Sequence, residues 1–166
     1  MISAIVAVDK DWGIGYQGQL LEHLPPDMKY FKEVTENHMV ICGRKTWDSI
    51  PKKPLTRRLV IVISNKGFKV EPGAVFLDMP HAMAHINQVK DDDEQEWFVI
   101  GGGEIYKQLL PYCDRVYVTK IEKSHKDVDT YFPNLDKDPQ WEASTCTELR
   151  YYGNIPYAFL TYDRIS

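Results

Sequence analysis

The sequence has no run of lysine and arginine, no apolar stretch long enough to cross a membrane, and no cysteines or histidines at metal-ligand spacing. Each absence removes a class of function. With no basic run and a net charge of −4 at pH 7, the chain lacks the electrostatic footprint of a nucleic-acid binder. Cys42, Cys113 and Cys146 are an odd number and lie far apart, so neither a disulfide framework nor a zinc site is expected. His81 and His85 stand at i, i+4 without an acid or thiol to complete a ligand set, and they read as exposed or structural. The first nine residues have too short an apolar run and no basic start for a signal peptide. Taken together, these features lead to the expectation of a reduced, cytoplasmic protein with no membrane contact, no nucleic-acid partner and no metal.

What is present is an ordinary globular composition, 43% hydrophobic and 27% charged, in 166 residues. That length builds one real core and not two, so a single domain over residues 1–166 is expected. Apolar runs at 2–8, 39–42, 59–64, 74–77, 97–100 and 116–121 read as strands, several without polar alternation. Continuous β-branched runs imply strands covered on both faces, as in a parallel sheet. Helical patterns fall between them at 26–35, 44–50, 80–89 and 103–110. Residues 141–149 and 157–164 read as two longer strands forming a hairpin-like antiparallel pair. The fold class expected is therefore α/β, a mostly parallel central sheet with an antiparallel C-terminal edge and about four flanking helices. The run Asp91-Asp92-Asp93-Glu94 reads as a solvated loop.

Four segments carry candidate chemistry. In Leu24-Pro25-Pro26-Asp27-Met28-Lys29-Tyr30-Phe31, a proline suits the first helical position, and Asp27 and Phe31 share a helix face. A carboxylate beside an aromatic on a buried face is poorly solvated, which raises its pKa, while the helix N-terminus favours the anion. Such a group suits binding a cationic heterocycle or managing a proton; the plain alternative is a helix cap. Gly13-Ile14-Gly15-Tyr16-Gln17-Gly18 matches G-x-G-x-x-G but follows a polar turn and meets Pro25-Pro26 soon after, so it reads as a flexible loop over a site. Gly43-Arg44-Lys45-Thr46-Trp47 sits where a strand meets a helix and suits a phosphate, or is an ordinary surface-basic helix start. Trp97-Phe98-Val99-Ile100-Gly101-Gly102-Gly103-Glu104-Ile105-Tyr106 repeats the strand–glycine–helix arrangement, and three glycines let backbone approach a ligand closely.

In order and spacing, these segments resemble dihydrofolate reductase of the bacterial chromosomal type over essentially the whole chain. The match rests on Ile5-Val6-Ala7, Gly13-Ile14-Gly15, Leu24-Pro25-Pro26-Asp27 with Phe31, and residues 43–50. It continues through Arg58, residues 99–106, Thr119, and Asp129-Thr130-Tyr131-Phe132-Pro133. The resemblance implies NADPH-dependent reduction of 7,8-dihydrofolate to tetrahydrofolate by a monomer, and antifolates such as trimethoprim or methotrexate as ligands. It implies that Asp27 holds the pterin and supports protonation of N5, and that Thr119 completes that network. Ile5, Ala7, Phe31 and Ile50 would line the pocket, and Arg58 would meet the glutamate tail. Arg44, Lys45, Ser64 and Asn65 would grip the adenosine phosphates, with Gly43, Thr46, Ile100, Gly103, Glu104 and Ile105 around the cofactor. Gly101–Gly102 would carry the family's cis peptide, and Tyr106 would lie near the nicotinamide. Residues 15–20, from Gly15 to Leu20, would form a mobile loop that closes over the cofactor together with Ala7 and Ile14.

Two departures from the family pattern stand out. Leu21 and Glu22 occupy the place of a Pro-Trp pair. If Glu22 points inward, two carboxylates share the site and one pKa rises, with an altered pH profile and antifolate response; otherwise it swings out to solvent. Thr56-Arg57 replaces Pro-Gly before Arg58, which leaves Arg57 or Arg58 to meet the tail. The rival readings are a related reductase of riboflavin synthesis and a cofactor-binding protein that has lost turnover.

Overall fold

In the computed structural model, which describes residues 1–165, ten strands form one sheet and two short strands form another. Chain order is β1 (Ile2–Val8), β2 (Gly13–Gly15), α1 (Pro25–Thr35), β3 (Met39–Gly43), α2 (Arg44–Ser49), β4 (Leu59–Ile63), β5 (Lys69–Glu71) and β6 (Ala74–Leu77). There follow α3 (Met79–Val89), β7 (Trp97–Val99), α4 (Gly103–Leu109), β8 (Arg115–Ile121), β9 (Thr130–Tyr131), β10 (Trp141–Cys146), β11 (Arg150–Tyr152) and β12 (Ile155–Arg164). The main sheet runs β10-β12-β8-β1-β7-β3-β4-β6-β5, with β11 paired to β12.

The pairs β8·β1, β1·β7, β7·β3, β3·β4 and β4·β6 are parallel. Their β-branched runs are buried because helices cover them: six of the seven residues of β1 are buried, and Val40, Ile41 and Cys42 of β3 are fully so. The apolar contacts gather in one large cluster around Ile2, Ile41, Val99, Leu109 and Val118, a smaller one around Trp47, Val62 and Phe76, and a third of Leu24, Ile121 and Tyr157.

Both edges of the sheet are antiparallel, where only the C-terminal one was expected: β5 turns back on β6 at the far edge. Its sequence, Lys69-Val70-Glu71, is short and mostly exposed, so it carries no apolar signal. At the other edge the expected hairpin contains three strands, because residues 150–152 pair with β12 around a turn at Gly153, φ +60°. Helix ends shift by a residue: α3 begins at Met79 behind Asp78, whose carboxylate caps His81 N–H. The last turn expected of α4 is a 3₁₀ turn starting at Leu110. Gly13–Gly15 is not a loop but a short strand against β9. Among the described residues no helix is long and apolar enough to cross a membrane, and no cluster of His, Cys, Asp and Glu is placed to hold a metal.

Candidate active site

Parallel strands place their C-terminal ends on one rim, and a crevice opens there where neighbouring connections diverge. Ala7 lies near the end of β1 and pairs in register with Thr119 of β8. Helix α1 crosses above them, started by Pro25 with Leu24 as its N-cap. Asp27 sits in its first turn but does not cap it; the side chain turns inward, and the Thr119 hydroxyl donates to its Oδ1 at 2.5 Å. Burial pushes the Asp27 carboxyl above the usual carboxylate range, and the Thr119 hydrogen bond offsets part of that rise. No cation pairs with Asp27 among the described residues, so when ionised it is a desolvated charge awaiting donors.

Asp27 shares a small cavity with Ala7, Asp9, Ile14, Leu20, Leu21, Glu22 and Leu24. On its sheet side the buried Tyr106 hydroxyl donates to the Ile5 carbonyl at 2.6 Å, and burial with the nearby Asp27 charge pushes that phenol well above its usual range. Phe31 follows one turn after Asp27 on α1, and the Arg58 guanidinium lies 5.7 Å over its ring. Arg58 also donates to Thr35 Oγ1 at 3.1 Å and to the Thr56 carbonyl at 3.0 Å. Arg57 has φ +56° and turns away to pair with Glu36 at 3.0 Å.

A second assembly lies beside the first. Strands β3 and β7 are neighbours, so the turns that follow them, into α2 and α4, are brought together. Gly43 N–H donates to the Gly101 carbonyl at 2.8 Å. The Gly101–Gly102 peptide is cis, and Gly101 has φ +121°, a backbone region for which glycine is suited. Gly103 faces β9 so closely that a Cβ there would stand 2.5 Å from Thr130 Cγ2. Neither α2 nor α4 has a side-chain cap at its N-terminus. Arg44, Lys45 and Thr46 begin α2, with Arg44 Nε 3.6 Å from Asp48, and Glu104 and buried Ile105 begin α4. Ser64 and Asn65 follow β4, the next strand over, with Ser64 Oγ accepting from Lys66 N–H. Ile100 hydrogen-bonds to β3 through its N–H. Ile50 ends α2 and packs against the Trp47 cluster.

Glu22 requires a correction. Its carboxylate neither shares the site uncompensated nor swings into solvent. Oε1 accepts from Lys123 Nζ at 2.8 Å and lies 2.9 Å from His125 Nε2. Those partners, Lys123 first, hold its carboxyl below the usual carboxylate range despite burial. The rise at Asp27 owes nothing to Glu22: its cause is burial. His125 and Lys123 escaped the sequence reading because they stand in a polar stretch, Lys123-Ser124-His125-Lys126-Asp127, about a hundred residues from Glu22.

A larger groove of about 430 Å³ opens elsewhere, between α1 and the C-terminal strands, lined by Lys29, Tyr30, Arg150 and Phe159. It holds no buried acid and no glycine turn, so the chemistry belongs to the smaller cavity, where residues 20–22 cover Asp27.

Residues 1–164 match the family described as dihydrofolate reductase. Dihydrofolate reductase of Bacillus subtilis is 37% identical over 171 aligned positions, covering 99% of this chain and 95% of that protein. That of Haemophilus influenzae is 41% identical over 140, covering 84% of this chain and 82% of its own length. That of Buchnera aphidicola is 39% identical over 143, covering 86% and 84%.

Proposed function

The chain belongs to the dihydrofolate reductase family, oxidoreductases that reduce dihydrofolate to tetrahydrofolate, and from that premise we propose that its reductant is NADPH and that Asp27 binds and helps protonate the pterin. The observation that carries this reading is the half-buried Asp27 carboxylate, partnered by Thr119 and, among the described residues, by no cation. An anion so placed gains most from a planar edge bearing two N–H groups, because two charge-assisted hydrogen bonds replace the water lost on burial. The amino group and ring N3 of a pterin offer that edge. As an acid with a raised pKa, Asp27 also supports delivery of a proton toward N5 near neutral pH. Thr119 orients its carboxylate, and Leu20, Leu21, Glu22 and Leu24 line the cavity around it.

The residues around the two glycine turns fit a dinucleotide. Gly101, Gly102 and Gly43 offer bare backbone, while Arg44 and Lys45 with the Ser64 hydroxyl and Asn65 supply donors for phosphate groups. NADPH supplies the hydride when bound. Ala7, Ile14, Gly15 and Leu20 would close the nicotinamide end, with Thr46, Ile100, Gly103, Glu104, Ile105 and Tyr106 around it. Ile5, Phe31 and Ile50 would face the folate. The reading takes the chain as a monomer of one domain, residues 1–166, acting in the cytoplasm. Diaminopyrimidine and pteridine inhibitors such as trimethoprim and methotrexate would compete for Asp27.

The test is direct: NADPH absorbance followed with and without dihydrofolate. Dihydrofolate-dependent loss establishes the activity, and binding of NADPH without consumption overturns it. The tail-binding role divides the two arginines. Arg58→Ala is expected to raise KM for dihydrofolate about tenfold with kcat nearly unchanged, the loss of one charge-assisted contact made equally in ground and transition state. Arg57→Ala, which loses only the exposed Glu36 pair, should leave both constants alone.

A further inference from the structure

Residues 16–24 join β2 to α1 with no regular structure beyond an isolated bridge between Tyr16 and Gln19. Leu20 is 68% exposed. Leu24, 3% exposed, anchors the segment's far end against Ile121 and Tyr157, and Leu20, Leu21 and Glu22 line the cavity over Asp27. The anchors before Leu24 are polar. Gln17 N–H donates to Asp129 Oδ2 at 2.9 Å, and Glu22 meets Lys123 and His125.

His125 does more than pair with Glu22. Its Nδ1 stands 3.1 Å from Asp9 Oδ2, while its Nε2 is 2.9 Å from Glu22 Oε1. Asp9, just past β1 and 1% exposed, receives the N–H groups of Asp11 and Gly13 on Oδ1 and that of His125 on Oδ2. Every backbone partner of Asp9 donates, so it serves as an acceptor throughout. A neutral imidazole has one N–H and one lone pair, so between two carboxylates it would aim its lone pair at one of them. Only the imidazolium donates to both. The charged groups facing the ring are Asp9, Glu22 and, through its shared hold on Glu22, Lys123. With the ring protonated, two anions meet two cations.

We propose that His125 is a positioning residue of this enzyme: as an imidazolium it bridges Asp9 to Glu22 and fixes residues 20–24 as the wall over the substrate site. The role rests on the dihydrofolate reductase reading. The bridge exists while the ring is charged and Glu22 is ionised. A neutral ring can donate to only one of the two carboxylates and so breaks the bridge, while Lys123 and His125 hold Glu22 ionised to below the usual carboxylate range. Substrate binding therefore weakens whenever the ring is neutral, for a reason separate from Asp27.

The experiment compares KM for dihydrofolate in the wild-type protein and in His125→Gln across pH, beside the ring ¹⁵N spectrum of His125 in the wild type. While the wild-type ring is protonated the variant's KM is expected to exceed the wild-type value about fivefold, and the ratio falls toward one where the spectrum shows the ring neutral. The spectrum should show both ring nitrogens protonated at the acid end. A ratio that does not follow the protonation of the ring, or a ring that stays neutral while Glu22 is ionised, overturns the proposal. Should His125→Gln fail to fold, Glu22→Ala removes the acceptor on the segment, and its KM ratio must still fall as the ring loses its proton, to a remainder set by the lost Lys123 pair. Absence of any dihydrofolate-dependent turnover in the wild type would instead refute the activity, while the spectrum of the protein alone still decides whether the bridge forms.

Discussion

Asp27→Asn is expected to lower kcat/KM for dihydrofolate by about a thousandfold near neutral pH, the scale of a lost general-acid contribution combined with a lost charge-assisted pair. NADPH affinity should stay nearly unchanged, because the glycine turns and the cations of α2 lie on other strands. Stopped-flow turnover and NADPH titration of the same preparation measure both. Retention of most of the activity would refute the role given to Asp27. The same substitution is expected to stabilise the fold near neutral pH. Burial raises the folded-state pKa of Asp27, so the native protein binds this proton more readily than the unfolded chain. The wild type therefore loses stability as pH rises from the unfolded-state carboxylate pKa through the raised folded value, and above that window the full cost of a buried charge is present. Asparagine carries no such cost, so its advantage in thermal midpoint should be largest above the window and vanish below it.

Trp47→Ala is expected to lower the free energy of unfolding by about 4 kcal/mol, the usual range for deleting a large buried aromatic. The ring is 2% exposed and packs with Val40, Cys42, Val60, Val62 and Phe76 in the smaller cluster. Its Nε1–H donates to Glu71 at 2.7 Å, and Lys53 lies 5.3 Å over its face. Its importance exceeds its area because α2 has only six residues, too few to hold a helix in water by backbone bonds alone. Trp47 is the only fully buried residue of that helix among those described, so it anchors Arg44, Lys45 and Thr46 at the proposed cofactor turn. NADPH affinity should fall more than dihydrofolate affinity. Urea unfolding and the two binding constants test this; a loss below about 1 kcal/mol would mean that the helix is anchored elsewhere.

The parallel sheet was legible because its strands advertise burial on both faces: Ile2–Val8 and Leu59–Ile63 have almost no polar residue. Strands β5 and β11 were not, since each is three mostly exposed residues with no apolar run of its own, paired along a single neighbour. Gly13–Gly15 was taken for a loop because glycine carries no strand signal, and β9, its partner, begins more than a hundred residues later. The acid at Asp27 was visible in its motif, as were the glycine turns. The partners of Glu22 were not.

By itself the sequence determined which apolar runs would form the covered parallel strands, where the glycine turns after β3 and β7 would fall, and which acid stood on the face of α1. Those follow from local periodicity, proline and glycine chemistry, and side-chain type, all readable within about ten residues. Tertiary structure decided which of these meet: that Gly43 meets Gly101, that Arg57 turns away to Glu36, and that Glu22 is held by Lys123 and His125. These pairings span from 21 to 103 residues, and a charge shows nothing in sequence of the partner the sheet will bring to it. The state of Glu22 was therefore settled only when β8 laid its following connection beside β1, because the energy of a carboxylate is set by what surrounds it and not by its own identity.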